Sequence, residues 1–253
     1  DGSPFPEPHM TVEPVDSPLL RCYADGKVPA RGETVRSLAR HETERLVGRL
    51  GPPQQGIAKR RKALRALLRW QASAAQPVPV EQIEDPEEPE KILLRATDGI
   101  ALPALFFKQD NGAPVVVICG EEGIQALRMS PETEELRKTG LSVFLIDVRG
   151  WGETASDPYL LATDGMLLGD PLPAQRSRDL GAAVAYLRHR SDVRGPIGLL
   201  GLGVSGGMVT LLTAASEGSP AALAVPGLPD SLLKLYDDGP PIDVVVGSLA
   251  AVA

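Results

Sequence analysis

From residue 90 onward, apolar and polar residues follow a pattern that predicts strands alternating with helices. Two apolar runs, residues 91–97 and 100–107, are separated by Asp98 and Gly99, which indicates a β-hairpin. Pro103 lies inside the second run. Because proline cannot donate a ladder hydrogen bond, it predicts that this strand lies at a sheet edge or contains a bulge.

Three continuous apolar runs, typical of strands that are buried on both faces, lie at residues 114–119, 141–146 and 196–202. Helices are predicted between and after these runs, at residues 131–138, 179–190 and 208–215. Buried strands separated by helices imply a mostly parallel sheet with helices on both faces, so the predicted fold class is α/β.

The first 88 residues have a different composition. They are Pro-rich at the start and then predict two helices, at residues 33–50 and 57–74. The second helix carries six basic residues beside an apolar stripe of Leu64, Leu67 and Leu68. It is either an amphipathic helix with a solvated basic face or a helix that binds nucleic acid or membrane. No aromatic residues interleave the basic ones, which favours the first interpretation.

The overall composition narrows the functional classes. The net charge of −7 argues against nucleic acid as the principal partner. Cys22 and Cys119 make neither a disulfide framework nor a metal site, and we expect no metal and no cofactor. No apolar run is long enough for a membrane span, so no membrane partner is expected. The compartment and the oligomeric state stay open.

The sequence around Ser205 carries the most specific chemical signal. Gly203, Ser205 and Gly207 form a G-x-S-x-G pattern between an apolar run and a predicted helix. In a nucleophile elbow, this pattern puts the serine on a sharp strand-to-helix turn, with its hydroxyl at the carboxyl edge of the sheet. Ser205 is therefore interpreted as a nucleophile. The alternative is that it is a small residue which a tight turn requires.

Three segments together resemble the α/β-hydrolase family over the part of the chain that starts near residue 90. They are residues 116–120, residues 147–154, and residues 192–194 leading into the Ser205 pattern. The middle segment is similar to the family's D-x-R-G-x-G-x-S loop, with Thr154 where serine is common. Within the family, the chain is most similar to acetyl xylan esterase-like and dipeptidyl-peptidase-like serine hydrolases.

The resemblance implies a domain organisation. Residues 89–253 would be an α/β-hydrolase domain that lacks its C-terminal part. Residues 1–88 would be a Pro-rich and helical appendage or linker. An interruption at both ends is also suggested by a first residue other than Met and by an apolar final stretch.

The resemblance also implies roles for site residues. Ser205 would be the catalytic nucleophile, and the backbone N–H of Gly206 would be the first oxyanion donor. The second donor would be Gly120 or Glu121, in the loop after the strand at 114–119. Glu121 and Glu122 depart from the family's usual loop, because carboxylates disfavour a developing oxyanion unless they point to water.

The loop at residues 147–154 allows two interpretations. Asp147 and Arg149 are substrate ligands or, as we expect, structural residues. In the structural interpretation, Asp147 ends a strand and Arg149 braces the loop by hydrogen bonding. Trp151 is either a pocket wall or part of the core.

A complete catalytic triad cannot be written from this sequence. The family order is serine, acid, histidine, yet His9, His41 and His189 all precede Ser205. Four aspartates follow the elbow, although the family's acid usually lies after a later strand. They are Asp230, Asp237, Asp238 and Asp243. We therefore expect a fragment of a serine ester hydrolase that acts through an acyl-enzyme and is inactive alone, because the triad acts as a unit. Acetylated carbohydrate is the substrate class that the resemblance implies. Two alternatives stay open: a non-catalytic hydrolase-like binding module and a serine peptidase of the same fold.

Overall fold

A seven-stranded sheet organises the computed structural model, which describes residues 11–23, 27, 32–49, 56–71, 76–78, 89–109, 112–218 and 220–234. The strands are β1 (Gln76–Val78), β2 (Glu90–Arg95), β3 (Ala101–Phe107), β4 (Val115–Gly120), β5 (Ser142–Ile146), β6 (Ile197–Leu202) and β7 (Leu223–Ala224). They include every apolar run that the sequence analysis assigned to a strand.

The strand order across the sheet is β1-β2-β3-β5-β4-β6-β7. The pairs from β1 to β5 are antiparallel, whereas β5, β4, β6 and β7 pair in parallel. Val117 of β4 lies between Phe144 of β5 and Leu199 of β6, so the three buried runs form the parallel centre of the sheet. The predicted hairpin is confirmed as β2 and β3, and the α/β class is confirmed with it.

Pro103 lies neither at an edge nor at a bulge, so both alternatives of this prediction are wrong. β3 lies between β2 and β5, and its register with β2 is continuous. The Pro103 carbonyl accepts a hydrogen bond from the Asp147 N–H at 3.0 Å, so the proline nitrogen also faces the β5 side. The β5 ladder ends at the Ala104–Ile146 pair. The missing N–H therefore falls just beyond the ladder, where it costs no strand pairing.

The described helices are α1 (Val35–Val47), α2 (Ile57–Leu67), α3 (Gly123–Arg128), α4 (Pro131–Lys138), α5 (Pro158–Leu167), α6 (Leu172–His189) and α7 (Gly203–Glu217). α4 matches its prediction, because Ser130 caps its first turn and Pro131 starts it. α2 ends earlier than predicted, since Arg69 has a left-handed φ of 46°. α6 and α7 both begin earlier than predicted, and α3 and α5 had no sequence prediction.

Helices cover both faces of the sheet, as predicted. On one face, α6 and α7 pack Leu180, Ala183 and Val209 against the strands. On the other face, α3 contributes Ile124 and Leu127. This arrangement places the start of α3 and the start of α7 at the same carboxyl edge of the parallel strands. Within the described ranges, each helix is too short or too polar to cross a lipid bilayer.

Parts of the N-terminal section pack against the rest of the fold. Leu68 at the end of α2 is buried in a cluster with Met208 and Leu212 of α7. Arg65 Nε donates a hydrogen bond to the Ser216 carbonyl oxygen at 2.7 Å. The apolar stripe of α2 thus contacts α7, as expected of an amphipathic helix, and β1 joins the sheet. The boundary between residues 88 and 89 stays a prediction.

Asp192 should stabilise the fold in a pH-dependent way. Arg190 donates two hydrogen bonds to it, at 2.8 and 2.7 Å, and Lys108 Nζ lies at 2.8 Å. These contacts hold the pKa of Asp192 well below its usual value. A lowered carboxyl pKa contributes stability above the unfolded-state pKa of about 4, and this contribution is lost as the pH falls.

We therefore expect Asp192→Asn to be less stable than the unmodified protein at about pH 7, and this deficit should be clearly smaller at about pH 2. Urea unfolding at both pH values measures the difference. A stability difference that does not change with pH would contradict this expectation.

Candidate active site

The turn from β6 into α7 has Gly203 at its apex. β6 ends at Leu202, α7 begins at Gly203, and Gly203 has φ +73° in the left-handed region. A sharp strand-to-helix turn with one residue in the left-handed region is the geometry of a nucleophile elbow. Gly203 is exposed, whereas its neighbours two positions away, Gly201 and Ser205, are both buried.

Ser205 does not occupy the apex that the sequence pattern predicted for it. It is the third residue of α7 and is 1% exposed. Its Oγ is buried and has no hydrogen-bond partner among the described residues. The predicted placement at the turn is corrected by two positions, because Gly203 takes the left-handed conformation instead. The catalytic role of Ser205 stays a prediction.

Gly206 lies inside α7 and packs against β4. A Cβ on Gly206 would stand 2.9 Å from the Cys119 carbonyl oxygen and 3.1 Å from Gly120 Cα. In a helix that begins at Gly203, the Gly206 N–H is the first to reach the carbonyl four residues back. The Gly206 N–H thus belongs to the helical hydrogen-bond pattern, and the N–H groups of the first turn come before it. The role of Gly206 as an oxyanion donor stays a prediction.

Opposite the apex lies the loop that follows β4. Gly120 is the last residue of β4 and pairs with Leu202, so the loop starts beside the turn. A pocket between the two is lined by Gly120, Glu121, Glu122, Ala126, Leu127, Ser130, Leu202 and Gly203. We call it the apical pocket. The predicted donors Gly120 and Glu121 line it, whereas Ser205 and Gly206 are not among its lining residues.

The charge at the apical pocket is negative. Glu121 and Glu122 are exposed, as the sequence analysis required of them. Glu121 Oε1 nevertheless lies 3.6 Å from the position that a Cβ on Gly203 would take. A carboxylate at this place opposes the build-up of a second negative charge beside the turn. The pocket thus favours a neutral or cationic group over an anion.

Asp147 holds the pocket loop in place. Its carboxylate accepts hydrogen bonds from the Ile124 N–H at 2.8 Å and from the Glu153 N–H at 2.9 Å. Burial raises the pKa of this carboxyl, although both hydrogen bonds oppose the shift. Asp147 thereby ties the start of α3 to the loop after β5. It directly follows β5, as expected of a residue that ends a strand, whereas its bracing contacts had no sequence prediction.

Arg149 braces the same loop against α6. Its guanidinium donates to both carboxylate oxygens of Asp179, at 2.8 and 2.6 Å, and to Gln175 Oε1 at 2.9 Å. Asp98 adds an ion pair at 2.7 Å. Trp151 is 4% exposed, and Arg176 stacks on its ring with 4.4 Å to the centroid, so Trp151 belongs to the core.

In the described part of the chain, no histidine lines the apical pocket, and the carboxylates that line it, Glu121 and Glu122, precede the elbow instead of following it. His41 is exposed on α1 near Glu33. His189 is exposed at the C-terminal end of α6, which leads into the start of β6, whereas the apical pocket lies at the other end of that strand. Asp230 is exposed and pairs with Lys234 at 2.6 Å. His9, Asp237, Asp238 and Asp243 lie outside the described residues. Within those residues, no cluster of ligands could hold a metal ion.

Comparison with known proteins gives partial relatives. No family model matches the chain. YfhR, an uncharacterized protein of Salmonella typhi and Salmonella typhimurium, is 31% identical over 135 residues, or 51% of this chain and 41% of YfhR. The chain thus spans about two fifths of the length of these curated relatives.

Solved structures give the fold. A Bacteroides fragilis protein provisionally described as an acetyl xylan esterase has a TM-score of 0.58 at 15% identity, over 80% of this chain and 61% of that one. The acetyl xylan esterase of Paenibacillus sp. R4 has a TM-score of 0.47 at 22% identity, over 69% and 59%. The Bacteroides likeness confirms the predicted resemblance at the level of the fold.

Proposed function

We propose that this chain, which has the α/β-hydrolase fold, is the acyl-binding part of an ester hydrolase-type protein. The observation that carries the proposal is the apical pocket, which joins the elbow turn at Gly203 to the loop at Gly120 and Glu121. In this fold, ligands enter at the carboxyl edge of the parallel strands. The ligand would be an ester or amide with a neutral acyl group, and acetylated carbohydrate is the first class to test.

The first candidate activity is serine ester hydrolysis by a longer polypeptide. Ser205 would then attack the ester carbonyl and form an acyl-enzyme, with an acid and a histidine supplied by residues outside this chain. The strand-to-helix position of the glycine-serine pattern supports this candidate. A serine peptidase would need the same missing residues and differs only in cleaving peptides.

The second candidate is a binding module that does not cleave its ligand. One observation favours it: Ser205 Oγ is buried, and the exposed apex is a glycine. A glycine apex offers no side chain that could attack a carbonyl. The backbone N–H groups of the turn and the loop would still bind the carbonyl oxygen of an ester or amide.

Blocking the apical pocket should weaken ligand binding in both candidates. Ala126 lines the pocket on α3, and its neighbour Gln125 is exposed outside the lining. We expect Ala126→Trp to weaken binding of N-acetylglucosamine, a neutral acetamide, by about tenfold or more, which corresponds to a loss of about 1.4 kcal/mol. Chemical-shift titration of the isotope-labelled chain measures the dissociation constant.

Gln125→Trp is the matched control, because it places the same ring on the same helix outside the pocket. It should bind like the unmodified chain. Equal binding by both variants, or shift changes that avoid Gly120 and Gly203, would contradict the proposed site. Acetate serves as an anionic probe and should bind less tightly than N-acetylglucosamine.

A further inference from the structure

We infer that residue 203 is the nucleophile position of this elbow, and that with glycine there the chain forms no acyl-enzyme at the turn. The inference rests on the proposed function only in using the same apical pocket. It selects the binding module from the two candidates. It also assigns Ser205 a structural role, as the small residue that flanks the apex.

The spacing of small residues supports this assignment. The glycine-serine pattern at residues 203–207 overlaps a second series of alternating small residues at 201–205, in which Gly201 and Ser205 lie on either side of Gly203. Gly201 packs beneath α7, where a Cβ would overlap the Gly206 carbonyl oxygen and lie 2.5 Å from Thr210 Oγ1. Ser205 is equally enclosed. A sharp turn against a helix needs small residues on both sides of its apex, and these two residues meet that need.

The direction of the side chains gives the same answer. A Cβ on Gly203 enters open space at the apical pocket and meets no atom closer than Glu121 Oε1, at 3.6 Å. A side chain at this position would face a ligand. The Ser205 hydroxyl has no comparable access, since it is buried within the first turn of α7.

The charge around the apex agrees with a turn that binds without attacking. The Glu121 carboxylate lies beside the position that a nucleophilic side chain on residue 203 would take. It would disfavour both a thiolate or alkoxide at residue 203 and the oxyanion that follows attack. Removal of this charge should therefore raise the reactivity of any nucleophile placed on Gly203.

Cysteine substitution tests which position faces the pocket. The background is Cys22→Ser, because Cys22 is exposed, whereas Cys119 is buried and burial raises its pKa to about 11. In this background we compare Gly203→Cys with Ser205→Cys. The probe is iodoacetamide, a neutral reagent that the thiolate attacks with release of iodide. Alkylation rates are read by mass spectrometry of the folded proteins.

We expect Gly203→Cys to be alkylated and Ser205→Cys to stay unmodified until the chain is unfolded. Adding Glu121→Gln to Gly203→Cys should raise its alkylation rate about threefold to tenfold, through a lower thiol pKa. Faster alkylation of Ser205→Cys than of Gly203→Cys would overturn the inference. So would no effect of Glu121→Gln on the rate.

Hydrogen exchange of the unmodified chain provides a second test that does not depend on whether the variants fold. A helix that starts at Gly203 leaves the amides of Val204 and Ser205 without helical partners and protects those of Gly206 and Gly207. A helix that starts after an apex at Ser205 leaves Gly206 and Gly207 unprotected. Protection at Gly206 supports the inference, and its absence overturns it.

The two proposals fail in different ways. Failure of the proposed function would appear as no binding of N-acetylglucosamine, or as binding that Ala126→Trp does not weaken. Loss of the inference would appear as a reactive thiol at the wrong position, even if binding is normal. The alkylation and exchange readouts need no ligand, so neither result depends on identifying the natural one.

Discussion

Replacing Arg149 by Met is expected to lower the free energy of unfolding by about 3 to 5 kcal/mol, because it leaves the buried carboxylate of Asp179 without its partner. Its partner Asp179 is 1% exposed and receives three hydrogen bonds from Arg149, one of them from the backbone. Burial raises the pKa of Asp179, and Arg149 opposes that shift. Without the guanidinium, the carboxyl must lie unpaired in the core or take up a proton. Chemical denaturation measures the loss.

Arg188→Met is the matched control for this prediction. Arg188 pairs with Glu217 at 2.6 Å, but its side chain is 46% exposed. An exposed ion pair contributes about 0 to 1 kcal/mol, so this variant should lose little. Adding Asp179→Leu to Arg149→Met should recover much of the stability, because no unpaired carboxylate is then buried. Equal losses from Arg149→Met and Arg188→Met would contradict the assigned role of Arg149.

Gly201→Ala is expected to destabilise the protein by about 1 to 3 kcal/mol or more, because the added methyl overpacks the contact between β6 and α7. The methyl would overlap the Gly206 carbonyl oxygen. The start of α7 would have to move away from the sheet, and the apical pocket would change shape with it. We expect the binding of N-acetylglucosamine to weaken together with the stability. Thermal unfolding measures the stability, and chemical-shift titration measures the binding.

Gly198→Ala is the control in the same strand. A Cβ on Gly198 meets nothing closer than Ala222 Cβ at 3.5 Å, which is an ordinary contact. This variant should keep both stability and binding. A Gly201→Ala protein as stable as Gly198→Ala would mean that α7 does not pack against β6 in the way described here.

The central sheet could be predicted from the sequence because buried parallel strands form continuous apolar runs. β4, β5 and β6 each carry one, and the hairpin of β2 and β3 is marked by its Asp98–Gly99 turn. The edge or bulge expected for Pro103 was wrong for a tertiary reason. On the side that the Pro103 nitrogen faces, the neighbour of β3 is β5, which is distant in sequence. The β5 ladder ends at the Ala104–Ile146 pair, one residue before it would need an N–H from residue 103.

The register of the elbow could not be predicted from the local pattern. Residues 201, 203, 205 and 207 are glycine or serine, so a strand-to-helix turn fits the sequence in two frames. A serine at the motif's central position favours one frame. Packing of Gly201 against α7 and of Gly206 against β4 selects the other. The signal that could have revealed this is the extra small residue two positions before Gly203.

The most direct test of the central claim is fluorophosphonate labelling, read at the peptide that contains Ser205. The probe is applied to this chain and to a longer polypeptide from the same gene, each with a Ser205→Ala counterpart. Our account predicts no label on Ser205 in either protein, because its hydroxyl is enclosed in α7 and the exposed apex is Gly203. Labelling of Ser205 in the longer polypeptide, lost in Ser205→Ala, would contradict the account and establish a serine hydrolase.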